Sequence, residues 1–107
     1  MDFQIDRFEP SGLIVGRNGY ADIPLGTVFV AVTKCRVDGK SPELSTVDLG
    51  DVATIELRLT EVQWFRRSLE VIPNGHAAGI RLEGMGLEAI AAALATKRDR
   101  EFISIRT

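Results

Sequence analysis

A chain of 107 residues has room for one domain and one hydrophobic core, and 45% hydrophobic with 26% charged residues excludes a disordered chain. A net charge of −2 and a pI near 5.4 give no overall basic field to draw nucleic acid. Cys35 is the only cysteine, which excludes an intramolecular disulfide and a cysteine metal cluster.

The first residues, Met1 to Asp6, lack the basic and apolar regions of a secretory signal, and no apolar run reaches the ~20 residues that span a bilayer. A soluble cytoplasmic protein is the expectation. Residues 3–8 read as a first strand closed by Pro10-Ser11-Gly12, and Leu13-Ile14-Val15-Gly16 begins a second that Asn18-Gly19 interrupts or ends. The longest β-prone run is 27–37, ended by Asp38-Gly39-Lys40. Ser41-Pro42-Glu43 has the form of an N-cap with proline at the first helical position, which predicts a single helical turn inside that loop.

Residues 51–65 carry the clearest period of two, with Ile55, Leu57 and Leu59 on one face and Glu56, Arg58 and Thr60 on the other. Val62 and Trp64 then fall on the opposite parity. An extra residue at Thr60-Glu61, a β-bulge, restores the register and predicts that Trp64 is substantially buried. Residues 77–83 alternate Ile80 and Leu82 against Arg81 and Glu83. Leu87, Ile90, Ala91 and Leu94 recur at helical spacing, which predicts a short helix over about 87–95 that covers an open end or edge. Residues 102–106 complete the chain as a last strand.

Between Glu61 and Ile90 the chain places Trp64-Phe65-Arg66-Arg67-Ser68-Leu69, a turn at Asn74-Gly75, Gly79-Ile80-Arg81-Leu82-Glu83-Gly84 and Glu88-Ala89-Ile90. That order resembles the second domain of translational GTPases such as elongation factor Tu. Ile14-Val15-Gly16-Arg17 and Ile23-Pro24-Leu25-Gly26-Thr27 extend the likeness more thinly toward the N-terminus. The resemblance implies an all-β fold: a small antiparallel closed β-barrel of the translation-protein type, here with one short C-terminal helix. Two positions at which the elongation factor holds the aminoacylated end of tRNA correspond to Gln63 and Ala77, so the resemblance carries the fold and not that role. No Gly-rich phosphate loop occurs, and no binding of GTP is expected.

Few side chains suggest chemistry. His76 is the sole histidine, so no Ser-His-Asp or multi-histidine site can be assembled, and its place after Asn74-Gly75 suggests an exposed turn. Cys35 shares parity with Phe29 and Ala31 and reads as a buried structural thiol. Asp48-Leu49-Gly50-Asp51 offers too few oxygens for a divalent ion and reads as a turn before the strand. Catalytic, cofactor and metal residues are therefore not expected.

Arg66-Arg67 and the group Lys97, Arg98 and Arg100 are the basic clusters. Each reads either as a solvated element end or as a local contact to an anion or RNA phosphate. Beside the first, Trp64 and Phe65 can stack a base if one of them leaves the core. Gln63, just before that cluster, and His76 are further binding candidates, and Tyr20 sits in the Asn-Gly turn. The leading expectation is a non-catalytic interaction module that binds a protein partner, or itself, through a barrel face or strand edge. An RNA- or ribosome-associated module is the alternative, disfavoured by the acidic pI, and an enzyme is the third.

Overall fold

The computed structural model describes residues 1–19 and 21–107. Among them, nine strands and one helix follow in the order β1 Asp2–Phe8, β2 Ile14–Asn18, β3 Ile23–Pro24, β4 Val28–Asp38, β5 Ser45–Trp64, β6 Arg67–Leu69, β7 Val71–Ile72, β8 Ala77–Met85, α1 Leu87–Thr96 and β9 Glu101–Arg106. Tyr20 lies outside the described residues. No helix among them is long and apolar enough to cross a membrane.

The protein is mostly β-strand, built as a compact antiparallel sheet. Its order is β4-β9-β1-β2-β8-β5-β6, and β4 also pairs with β5. Six strands thus each pair on both sides, and the ladder returns on itself. Of this sheet only β6 hangs outside that ring, paired with β5 alone, and β3 and β7 pair with each other as a separate two-stranded sheet. The inward faces bring Phe3, Ile14, Phe29, Leu57, Val62, Ile80, Ile103 and Ile105 into one core in which each is fully buried.

Close approach of the strands requires glycine at Gly16. A Cβ there would run into the Gln4 carbonyl oxygen and the Phe3 ring, so β1 and β2 can cross over the core only without one.

The predicted bulge is present. β5 pairs Leu59 with Leu82 and Glu61 with Arg81, leaving Thr60 as the extra residue, and both Leu59 and Val62 point into the core. Bulging also accounts for a correction. Asp48-Leu49-Gly50-Asp51 is no turn but part of β5, whose register against β4 shifts between the pairs Thr33↔Asp51 and Cys35↔Asp48. Gly50 takes a positive φ of 84° and donates its N–H to Asp48 Oδ1 at 2.7 Å, which absorbs the irregularity inside the strand.

The expected helical turn at 41–43 is absent as well. Asp38 already pairs with Ser45, so residues 39–44 must reverse the chain, and they do so with a left-handed Gly39 and a Glu43 N–H to Lys40 carbonyl bond of 2.6 Å.

The helix forms where its spacing predicts and packs on β5 and β9. Gly86, at φ 116°, starts it, and its carbonyl accepts from Ala89 and Ile90. Ile90 and Ala93 are buried and Leu87 and Leu94 half-buried, whereas Ala91 is exposed. A stripe centred on Ile90 runs to 93 and 94 at i+3 and i+4, so Ala91, a third of a turn away, leaves the contact.

Candidate functional site at a hairpin tip

β5 runs past the ring and folds back as β6, with Val62↔Leu69, Gln63↔Ser68 and Trp64↔Arg67 in register. Two residues, Phe65 and Arg66, make the reversal, at φ 48° and 64°. Two-residue hairpin turns with positive φ at both positions match the twist of the flanking strands, and Asn-Gly normally occupies them because a Cβ is disfavoured there. Here the pair is a phenylalanine and an arginine. Phe65 is 79% exposed, more than any other large apolar side chain among the described residues.

Trp64 is substantially buried, as expected, without being fully enclosed. The bulge does return it to the inward parity, but by Trp64 the strand has left the core and reached the turn. Its ring stands edge-on between two others, 4.7 Å and 62° from Phe65 and 5.3 Å and 71° from His76. Gln63, half-buried, has the opposite parity to Val62 and Trp64 and lies across from Gly79 and Ser68.

His76 is exposed, on the turn expected for it, and that turn is pinned by Asn18. Asn18 is 1% exposed. Its Nδ2 donates to the Ile72 carbonyl at 3.0 Å, its N–H donates to the His76 carbonyl at 3.0 Å, and its carbonyl accepts from Gly75 at 2.7 Å. β3 and β7 pair beneath the same turn through the buried Ile23 and Ile72. Sequence reasoning took Asn18 for a turn residue only. The Asn-Gly signal marks a chain reversal equally well whether its side chain faces solvent or the interior.

Arg66 and Arg67 are exposed, and their side chains make no hydrogen bond or ion pair among the described residues. Most other arginines are engaged: Arg7 with Glu9 at 2.9 Å, Arg17 with Asp6 at 3.7 Å, Arg36 with Asp38 at 2.7 Å, Arg81 with Glu61 at 2.8 Å and Arg106 with Asp51 at 2.6 Å.

The second basic cluster is not brought to this tip. It lies by the opposite end of β5, where Arg36 pairs with both Val47 and Glu101. Lys97 Nζ donates to the Glu101 carbonyl at 3.3 Å, and the Arg98 N–H donates to Glu101 Oε1 at 2.8 Å. The Arg100 guanidinium donates to the Gly39 carbonyl. Lys34 Nζ approaches Glu101 Oε1 at 3.5 Å. The Arg98 N–H holds the Glu101 carboxyl below the usual glutamate range; burial pushes back, and the Lys34 charge adds to the lowering.

Elsewhere, a shallow groove of about 1030 Å³ crosses the outer face of β1, β2, β4, β5 and β9, lined by Gln4, Arg17, Thr33, Cys35, Ser104 and Arg106 among others. Cys35 is half-buried there rather than buried as expected, in the stretch where the β4 register against β5 shifts. Burial, and then the Asp48 charge, push its thiol pKa up, which disfavours the reactive thiolate. Among the described residues no three His, Cys, Asp or Glu side chains converge as a metal site.

No family model, curated protein or solved structure matches the chain.

Proposed function

We propose that this protein is a non-catalytic interaction module, a closed β-barrel of the translation-protein type that holds a protein partner at the β5–β6 hairpin tip. The ring of six two-sided strand pairings supports the barrel reading, as does the place of Phe65-Arg66-Arg67 at a strand end followed by the Gly79–Gly84 strand. The observation that carries the binding reading is Phe65, exposed at 79% and held at positive φ. Left-handed backbone costs a non-glycine residue about 1–2 kcal/mol, and a ring this exposed recovers little of it by burial. A turn chosen for stability alone would place Asn-Gly here.

The test is capture from the native cell on immobilised protein, wild type beside Phe65→Asn/Arg66→Gly, with bound proteins identified by mass spectrometry. The reading expects a partner that the wild type retains and the variant loses while the variant's fold stays intact. Equal retention by both proteins removes the tip from the account.

A further inference from the structure

We infer that the hairpin tip is built for an acidic segment of its partner, one in which carboxylates flank an apolar side chain. This rests on the binding reading above and adds the chemistry of what is bound. Phe65 offers an apolar face in solvent, and Trp64, stacked edge-on at 4.7 Å, supports it from below. Arg66 shares the turn with Phe65 and Arg67 opens β6 across from Trp64, and both guanidinium groups are free of any partner among the described residues. Arg58 also lacks a side-chain hydrogen bond or ion pair among the described residues but adjoins no exposed aromatic ring, and the Arg98 charge already acts on Glu101. Glu61, the carboxylate in β5 nearest the tip, is already engaged by Arg81 at 2.8 Å. Two free forks next to an apolar anchor match two carboxylates around a hydrophobic residue, since each guanidinium can take a carboxylate through parallel hydrogen bonds.

Charge placement favours this over a nucleic-acid strand. A strand bound by its backbone needs a track of cations, and affinity grows with the number of phosphates neutralised. The tip supplies two, and the other cluster lies by the far end of β5 with Lys97 and Arg100 already bonded to carbonyl oxygens.

Trp64 is the only tryptophan, so its emission reports on the tip directly. The full-length protein is titrated with three probes: a synthetic peptide of glutamates around one phenylalanine, the same peptide with lysines, and a uridine oligonucleotide. The expected result is a saturable change in Trp64 emission with the glutamate peptide, weakened by added salt, and little response to the other two. Arg66→Glu/Arg67→Glu should weaken the glutamate peptide at least about tenfold and transfer the response to the lysine peptide. Both positions are exposed, and an unchanged circular dichroism spectrum confirms the fold.

A response to the oligonucleotide equal to or above that of the peptide overturns the inference in favour of RNA. Emission that changes with protein concentration alone overturns it in favour of self-association. No response to the glutamate peptide, or one that survives charge reversal, overturns it outright. Should capture from the cell still depend on the tip in that case, the acidic class is wrong and the binding reading stands. Should capture be independent of the tip, the site itself is wrong.

Discussion

At one end of β5, Lys97 and Arg100 bond to the carbonyls of Glu101 and Gly39, the backbone of Arg98 grips the Glu101 carboxylate, and α1 covers the adjoining apolar face with Ile90 and Ala93. At the other end, the side chains of Arg66 and Arg67 have no partner among the described residues and Phe65 stands in solvent on a backbone that phenylalanine disfavours. In sequence the two are alike: a short run of cations beside apolar residues. What separates them is whether the fold returns an acceptor to the cluster. β9 does so for the first by carrying Glu101 back past α1 in register with Arg36, whereas the second sits on a hairpin whose strands end there. A basic cluster therefore becomes a binding candidate through what the topology withholds from it.

The contrast is open to experiment. The largest effect is expected at the covered end, where Ile90→Ala should cost about 2–5 kcal/mol, because Ile90 is fully buried and the space it leaves is lined by packed side chains. Thermal melting measures it, and a loss below ~1 kcal/mol would mean that α1 lies loosely on β5 and β9. The tip should respond with the opposite sign. Phe65→Asn/Arg66→Gly removes the left-handed penalty and is expected to stabilise the protein by about 1–2 kcal/mol. A fall in melting temperature instead would show that the Trp64–Phe65 contact holds the hairpin together and that Phe65 is structural.

Leu94→Ala comes third, at about 1 kcal/mol, since Leu94 is only half-buried and forfeits part of the ~1.5–3 kcal/mol of a fully buried leucine. Melting should be read beside sedimentation. Loss of stability at unchanged mass fits a packed helix, and loss of a dimer at unchanged stability would make the α1 face an interface.

The smallest effect concerns acid. Glu101 has its pKa lowered from the ordinary 4.5, so its contribution is fully present above that pH and lost as the pH falls through the lowered folded value. Asp38 and Asp51 behave in the same sense through hydrogen bonds from Arg36 and Arg106, so acid sensitivity has three sources. Glu101→Gln should lower stability at neutral pH and make the acid limb of a pH–melting profile shallower. An unchanged profile would mean that the Glu101 bonds are replaced by water without loss.

Alternation and helical spacing made most of the β-rich fold legible. Each strand of the ring and the helix were readable because burying one face of an element forces a period on its residues, and Thr60 was identifiable because Leu59 and Val62 break that period while both stay apolar. Periodicity failed where the backbone departs from its element without a change of composition. Asp48-Leu49-Gly50-Asp51 has the residues of a turn and is a bulge within a strand, because β4 continues alongside it. Phe65-Arg66 has none of the residues of a turn and is one, so the short strand β6 could not be read.

Length, charge and residue pattern thus settled by themselves that the chain is rich in strands with one late helix, and that a lone histidine and a lone cysteine restrict its chemistry. Which cations are engaged, that Asn18 is an interior clamp and that Phe65 is outside depended on contacts between residues far apart in the chain: Asn18 with Ile72, Lys34 with Glu101, Trp64 with His76. Local sequence encodes the preferences of a segment. Whether a charge finds a partner or a ring finds cover is decided by which other segment the fold lays against it.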